Sequence, residues 1–219
     1  MVTNERVFRR TLAEGDIGFA ESWIDGDWHS DELAELLTLL AQNRTQLARA
    51  VHGSWLPVLW HRLRHLLRRN THAGAKRNIL AHYDLGNAFY RLWLDESMSY
   101  SAALFGENPD LSLAAAQRKK YLRVLELLNP KPGDAILEIG CGWGGFAEIA
   151  TTEFGCIVHG ITLSPSQLAW SRERATRECF SATAKFSLLD YRDVKDQYEH
   201  IVSIEMFEAV GEQFWPSYF

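Results

Sequence analysis

The chain has 219 residues, 47% of them apolar and 23% charged, which is the composition of a globular protein and leaves room for one α/β domain with a smaller attached unit. Its net charge of −5 argues against nucleic acid as the main partner, because phosphate binding requires a basic field. The sequence has no apolar run near the roughly 20 residues that span a bilayer, no export segment and no closely spaced cysteines, so we predict a cytoplasmic protein without disulfides or a metal site.

Three helices are predicted in the first part of the chain. The first covers residues 31–50, where leucines recur at helical spacing behind Ser30 as a candidate N-cap. The second covers 54–69 and the third 111–128. The proline- and glycine-containing segment 129–134 ends the third helix.

The helix predicted over 54–69 is strongly amphipathic. Tryptophan and leucine lie on one face, and arginine and histidine lie on the other. This pattern suits peripheral contact with an anionic membrane surface. It also suits docking against the catalytic domain or a second subunit, which we favour because most amphipathic helices are half-buried.

Strands and helices alternate after residue 134. Short apolar runs predict strands at 135–139, 157–161, 185–189 and 200–204, with helices at 146–154 and from Ser164 to about residue 178. The sequence Ser164-Pro165-Ser166-Gln167 has the form of a capping box with proline at the first helical position. The alternation implies a parallel sheet with right-handed crossovers.

A glycine-rich turn, Gly140 to Gly145, joins the first strand to its helix. It satisfies the G-x-G-x-x-G pattern of dinucleotide-binding proteins, but nicotinamide enzymes also need an acid at the end of the second strand. That strand instead runs into Thr162, Leu163 and Ser164. Glu138, just before the turn, stands where methyltransferases often carry an acid. A nucleoside-methyltransferase site is therefore favoured over a nicotinamide or flavin site, and over a turn required only for packing.

Four ordered segments carry a family resemblance: 82–105 (HYDLGNAFYRLWLDESMSYSAALF), 137–145 (LEIGCGWGG), 160–167 (GITLSPSQ) and 201–211 (IVSIEMFEAVG). They resemble the successive signatures of the cyclopropane fatty acid synthase family, which includes the mycolic acid cyclopropane synthases. Segment 18–28 (GFAESWIDGDW) resembles the helical leader of the phospholipid-acting branch. The resemblance implies a Rossmann-like class I methyltransferase sheet that uses S-adenosylmethionine.

The resemblance also implies roles for individual residues. A lid-like segment, the glycine turn and the ends of strands two to four would hold the cofactor through Tyr100, Ser101, Glu138, Gly140, Cys141, Gly142, Gly144, Thr162, Leu163, Gln167, Asp190, Tyr191 and Ile204. Glu208 matches the family's active-site glutamate, which helps to hold bicarbonate. The residues alone also allow Tyr100 to be a core aromatic, Asp190 to be a helix cap and Glu208 to form a surface ion pair.

The family's reaction begins with an alkene, which is a poor nucleophile, in an unsaturated phospholipid acyl chain. Close alignment and exclusion of water are needed, together with a base and an electron-rich surround for the carbocation. The resemblance supplies bicarbonate as the base, and aromatic side chains near 82–105 suit the second need. Two positions depart from the family: Ala102 replaces a frequent cysteine, and Ala209 replaces a frequent histidine. We expect position 102 to act through its backbone.

Three regions are expected: a helical N-terminal unit (1–80), lid and linker helices over the cofactor (81–128), and a partial S-adenosylmethionine-binding domain of about four strands (129–219). Relatives continue beyond this point with further strands, a histidine and a tyrosine. We therefore expect the chain alone to bind cofactor weakly and not to turn over. A lipid C-methyltransferase is the favoured function. A small-molecule methyltransferase and a non-catalytic lipid- or cofactor-binding remnant are the alternatives.

Overall fold

The computed structural model describes residues 1–45, 85–108 and 110–219. The chain divides into two compact units, Met1–Arg69 and Asn70–Phe219. The predicted boundary after residue 80 and the helix predicted over 54–69 lie outside the described residues, so they stay predictions, as do the membrane and subunit contacts inferred from that helix. Within the described residues, no helix has the length and apolarity needed to cross a membrane.

Helix α1 (Arg6–Ile24) dominates the first unit. Gly15, with φ of 65°, breaks it into two segments, and Gly18 lies so close to the carbonyl of Arg10 that a Cβ would meet its oxygen at 2.3 Å. A two-point hydrogen bond from Arg6 to the buried Asp27 carboxylate (3.0 and 2.7 Å) ties the start of α1 to the segment that follows it. Helix α1 lies in the region that was expected to be helical, although its bounds were not predicted.

Helix α2 (Leu33–Gln42) confirms part of the helix predicted over 31–50. It begins two residues later than expected. Glu32, without a side-chain hydrogen bond, occupies the N-cap position that the sequence assigned to Ser30. Residues beyond 45 lie outside the described part.

The second unit contains a four-stranded parallel sheet that confirms the predicted fold class. Strands β1 (Ala135–Ile139), β2 (Ile157–Thr162), β3 (Ala184–Leu188) and β4 (His200–Ser203) lie in the order β3-β2-β1-β4. Strand β1 pairs in parallel with both β2 and β4. Because the order reverses beside β1, the carboxyl ends of β1, β2 and β4 border a crevice of the kind in which open α/β sheets bind ligands.

Helices cover this sheet and continue beyond it. The second unit contains α3 (Gly86–Tyr90), α4 (Leu113–Leu128), α5 (Gly145–Thr152), α6 (Pro165–Arg177), α7 (Phe207–Val210) and α8 (Trp215–Tyr218). Helix α4 begins at the Ser112 N-cap and ends at Asn129, which adopts the left-handed conformation with φ of 49°. The predicted helix over 111–128 is thus confirmed, with its start moved by two residues.

The main core lies on the sheet face that carries α4, α5 and α6. Its buried side chains include Leu125, Ile136, Phe146, Val158, Ala175, Phe186 and Val202. The opposite face is covered by aromatic side chains that follow β3 and β4, including Tyr191, Tyr198 and Tyr218. Because side chains alternate along β1, Glu138 points to the same face as Ile136, which brings its carboxylate under the helices.

The start of α6 confirms half of the predicted capping box. The Ser164 hydroxyl accepts the Gln167 N–H at 3.3 Å, with Pro165 at the first helical position. The Gln167 side chain does not return to the Ser164 N–H. Its Oε1 instead accepts the Thr162 hydroxyl at 2.8 Å, and Thr162 Oγ1 accepts the Ser164 N–H at 3.1 Å. The end of β2 is thereby joined to the first turn of α6.

Gly160 provides a test of packing inside the sheet. A Cβ on this residue would lie 2.8 Å from both Cys141 Cβ and Phe186 Cδ1, closer than packed carbon atoms tolerate. We predict that Gly160→Ala lowers the free energy of unfolding by about 1–3 kcal/mol in urea denaturation. In a chain that already carries Phe186→Leu, adding Gly160→Ala should lower the free energy of unfolding by less than it does in the unmodified chain, because one of the two close contacts has been removed. Equal stability of Gly160→Ala and the unmodified chain would contradict this account.

Candidate functional site

A cleft opens at the carboxyl ends of β1, β2 and β4. It is bordered by the glycine turn after β1, by the segment 98–101, and by the residues that follow β2, β3 and β4. Eleven of the fourteen predicted site residues line it: Tyr100, Ser101, Glu138, Gly140, Cys141, Gly142, Thr162, Leu163, Gln167, Tyr191 and Ile204. The predicted cofactor-binding residues are therefore largely brought together, although their individual roles stay predictions.

The glycine turn is held in place through its backbone. The N–H groups of Gly140 and Cys141 both donate to the Ile161 carbonyl, at 2.9 and 3.0 Å, which fixes the turn against β2. Gly140, Gly142 and Gly144 all have positive φ, from 52° to 84°, so the turn uses conformations that other residues adopt only with strain. Gly144 does not line the cleft and instead stands at the N-cap of α5.

Glu138 is the most unusual group in the cleft. Its side chain is buried, and its Oε2 atom has no hydrogen-bond partner among the described residues. Burial raises the pKa of this carboxyl to about 8, partly opposed by the positive charges of Arg174 and Lys120. A buried carboxylate oxygen without a donor is costly, so this atom indicates the position of a missing cationic or hydrogen-bond-donating group.

The segment 97–102, which we call the strap, forms one wall of the cleft. The Ser99 hydroxyl is 2.7 Å from the Tyr121 hydroxyl on α4, and Arg174 on α6 donates to the Ser97 carbonyl at 2.6 Å. At the other end, the Ala102 N–H donates to Glu205 Oε1 at 2.6 Å. The strap is therefore attached to three separate elements, and Ala102 makes this contact through its backbone.

The second side of the cleft lies beyond β2 and β3. Tyr191 lines it, and its buried hydroxyl has no hydrogen-bond partner within the described ranges. Asp190 does not line it. Its two carboxylate oxygens accept Arg192 Nε at 2.8 Å and Nη2 at 2.6 Å, and it caps the short helical turn 191–193. Geometry thus matches the helix-cap alternative for Asp190, with Arg192 also packed over the Tyr191 ring.

Glu208 lies outside the cleft lining. It is exposed on the short helix α7. The carboxylate that follows β4 into the cleft is that of Glu205, whose backbone has φ of 51°. The predicted catalytic role of Glu208 stays a prediction with no supporting contact in the described residues.

Ten lining residues were not predicted from the sequence: Met98, Ser99, Tyr121, Ile139, Trp143, Gly145, Ile161, Leu189, Glu205 and Met206. For some of these residues, the sequence did contain a sign that they lie at the cleft. Glu205 and Met206 directly follow a predicted strand, where cofactor crevices of open α/β sheets lie. Tyr121 had none, because its place in an amphipathic helix looks like an ordinary core position.

Comparison with protein families gives a match that covers the whole of the second unit. The family described as mycolic acid cyclopropane synthetase matches residues 70–219. Tuberculostearic acid methyltransferase UfaA1 of Mycobacterium tuberculosis is 40% identical over 218 residues, covering 96% of this chain and 50% of the relative. Cyclopropane-fatty-acyl-phospholipid synthase of Escherichia coli K12 is 35% identical over 229 residues, covering 100% of this chain and 55% of the relative. The chain thus spans about half the length of these relatives.

Solved structures give the same result. Mycolic acid cyclopropane synthase CmaA1, in complex with SAH and CTAB, superposes with a TM-score of 0.63 at 32% identity, covering 65% of this chain and 50% of the other. The cyclopropane synthase MmaA2 of Mycobacterium tuberculosis gives a TM-score of 0.63 at 33% identity, with the same coverage of 65% and 50%. Coclaurine N-methyltransferase, at 23% identity and a TM-score of 0.54, shares the fold.

The buried carboxyl of Glu138 generates a prediction about stability. Because folding raises its pKa from an ordinary 4.5 to about 8, its contribution is fully present below pH 4.5 and is lost as pH rises through 8. The free energy of unfolding of the ligand-free chain should fall across this window by up to about 1.4 kcal/mol per pH unit. Lys120, whose pKa is lowered from 10.5 to about 8, acts mainly at higher pH and with the opposite sign.

Urea denaturation between pH 5 and pH 8 tests this prediction on the unmodified chain and on Glu138→Gln. The variant should show a flatter dependence on pH and should be the more stable form at pH 8. Glu173→Gln, which changes an exposed glutamate on α6, serves as the matched control and should keep the slope. A parallel pH dependence in all three proteins would show that Glu138 is ionised in the fold without cost.

Proposed function

This chain belongs to the mycolic acid cyclopropane synthetase family, and on that premise we propose that its second unit binds S-adenosylmethionine for methyl transfer to a lipid. The substrate is the double bond of an unsaturated acyl chain in a phospholipid, and the product is a cyclopropane or methyl-branched lipid. Membership of the family indicates the class of reaction. The residues that line the cleft indicate which cofactor the second unit binds.

The observation that carries the cofactor assignment is the unpartnered carboxylate oxygen of Glu138 beside the glycine turn. The methionine part of S-adenosylmethionine carries an ammonium group, which would donate to this oxygen and neutralise its charge. A dinucleotide would instead bring its pyrophosphate to the same turn, where it would keep Glu138 protonated and supply no cation to its carboxyl group. The end of β2 also lacks the acid that nicotinamide enzymes use for the ribose.

The remaining lining residues are assigned to parts of the cofactor by family resemblance. Tyr100 and Ser101 on the strap would contact the cofactor. Gly140, Cys141 and Gly142 would hold its methionine part, and Thr162, Leu163 and Gln167 would lie along the ribose. Tyr191 would border the adenine, and Ile204 the sulfonium end. Gly144 and Asp190 do not line the cleft and would act through residues that do. Gly144 sets the start of α5, and Asp190 holds Arg192 against Tyr191.

S-adenosylmethionine supplies an electrophilic methyl group when bound. The task of the chain is to exclude water and to stabilise the positive charge that develops on the acyl chain. Aromatic rings stand in the right region: Tyr90 lies 5.1 Å from Trp143 and 5.4 Å from Tyr100, and Trp93 lies 5.3 Å from Tyr100. Since Tyr100 and Trp143 line the cleft, their faces would attract a nearby carbocation.

The described residues give bicarbonate no fitting site. Glu208 is exposed on α7, and the Ala102 N–H already donates to the carboxylate of Glu205. A bicarbonate anion at that position would face a like charge rather than a donor. We therefore derive no proton transfer through it, and the role of Glu208 stays a prediction from the family resemblance.

Calorimetry with the purified chain tests the cofactor assignment. S-adenosylhomocysteine should bind and NADH should not. Glu138→Ala should weaken S-adenosylhomocysteine by roughly 10- to 100-fold, because it removes a charge-assisted hydrogen bond. Glu173→Ala on the exposed face of α6 is the matched control and should bind like the unmodified chain. Binding of NADH without S-adenosylhomocysteine would reverse the assignment.

Radiolabelled S-adenosylmethionine tests the lipid substrate. Vesicles of a cis-unsaturated phospholipid are offered as the methyl acceptor, beside a mixture of water-soluble metabolites. Label recovered in the lipid would support the proposed reaction and would contradict the expectation from the sequence that the chain alone does not turn over. Label recovered only in a water-soluble acceptor from a metabolite mixture would favour the small-molecule alternative.

A further inference from the structure

Lys120 on α4 is a charged residue that the preceding assignments do not use. Its ammonium group donates a hydrogen bond to Ser101 Oγ on the strap and another, at 2.6 Å, to Gln117 Oε1. Gln117 in turn donates through Nε2 to the Ser101 carbonyl at 2.8 Å. Lys120 and Gln117 therefore hold Ser101 by both its side chain and its backbone.

The charge of Lys120 is unusually placed. Burial lowers the pKa of its ammonium group to about 8, opposed by the negative charges of Glu205, Asp95 and Glu138. Both hydrogen bonds of this ammonium go to neutral oxygens, and none of these acids forms an ion pair with it within the described part of the chain. A half-buried cation paired only with neutral groups is ready to be stabilised by an anion.

Hydrogen-bond direction shows where that anion belongs. An ammonium group can only donate, so Ser101 Oγ must accept from Lys120. The hydroxyl proton of Ser101 is then free for a further acceptor, and no other partner of this hydroxyl occurs among the described residues. Because Ser101 lines the cleft, this proton is available to a bound ligand, next to the positive charge behind it.

We propose that Lys120 is a positioning residue for the α-carboxylate of the cofactor's methionine part, which accepts the Ser101 hydroxyl proton and is attracted by the ammonium charge. This inference rests on the proposed function and names the subsite within it. Glu138 would receive the ammonium group carried on the same carbon. The positive charge of Lys120 and the negative charge of Glu138 thus match the α-carboxylate and the α-ammonium group of the methionine part.

A purely structural role for Lys120 leads to a different expectation. If the residue only fixes the strap, its loss disturbs the whole cleft and weakens every ligand alike. If it positions a carboxylate, its loss weakens only ligands that carry one. Two ligands, one with the carboxylate and one without it, are therefore compared on the unmodified chain and on the variant. Any effect of a disturbed strap is the same for both ligands and cancels when their losses of affinity are compared.

The ligands are S-adenosylhomocysteine and its decarboxylated analogue, which keeps the amine and lacks the carboxylate. Lys120→Met should weaken S-adenosylhomocysteine by roughly 10- to 100-fold and the analogue by less than about 3-fold in calorimetry. Lys120→Arg, which keeps the charge and a donor, should recover part of the affinity for S-adenosylhomocysteine. Lys119→Met is the matched control, and both ligands should bind it normally. Lys119 is an exposed neighbour whose ammonium group, among the described residues, reaches the Phe105 carbonyl at 3.4 Å.

Other results of these binding measurements would count against either the role of Lys120 or the proposed function. Equal losses for the two ligands in Lys120→Met would overturn the inference and leave the proposed cofactor intact. Failure of the unmodified chain to bind either ligand would instead count against the proposed function. If Lys120→Met does not fold, Lys120→Arg still decides. The preference for S-adenosylhomocysteine over the analogue should decline above pH 8 more steeply in the unmodified chain than in Lys120→Arg, whose guanidinium keeps its charge, whereas equal declines would contradict the inference. The titrations of Glu138 and of the two ligand amines are common to both proteins and cancel in this comparison.

Discussion

The arrangement of the cleft depends on one constraint, which is a carboxylate placed inside the protein at the end of the central strand. Strand β1 is paired on both sides, so Glu138 has no route to solvent along the sheet, and its side chain points under α4 and α6. Burial is the main cause that raises its pKa, which is about 8. Nearby positive charges from Arg174 and Lys120 reduce this cost without removing it, and one carboxylate oxygen remains without a donor.

The strap follows from the same constraint. It is attached to side chains of α4 and α6, and the same two helices supply the cations near Glu138. Arg174 takes part in three of these interactions. It forms an ion pair with Glu148 on α5, donates a hydrogen bond to the Ser97 carbonyl and partly offsets the charge of Glu138. A substitution at such a residue would alter the strap, the helix packing and the cleft together, so its effects should not add simply with those of its neighbours.

The sheet was predictable from the sequence because it depends on local patterns, and most of the residues that line the cleft were predicted from the family resemblance. Strand β1 has the predicted bounds, and Ser164 caps α6 as its motif indicates. Residues brought in by long-range packing were missed. Tyr121 enters the cleft only because α4 lies against the strap, and the bounds of α1 were not predicted. Asp190 and Glu208 were assigned by motif, but the side-chain positions depend on Arg192 and on the turn at Glu205.

Polar groups whose burial is costly are the ones that would give the cleft its selectivity. A site lined by satisfied hydrogen bonds would gain little from any particular ligand, whereas an unpartnered carboxylate and a cation bonded only to neutral oxygens each favour one kind of charge. Ligands that supply both charges relieve both penalties, and they stabilise the fold by mass action as they bind. Anionic pyrophosphate would relieve one penalty and increase the other. On this proposal, discrimination between cofactor classes would arise from the cost of burying Glu138, which a turn built of glycines alone does not provide.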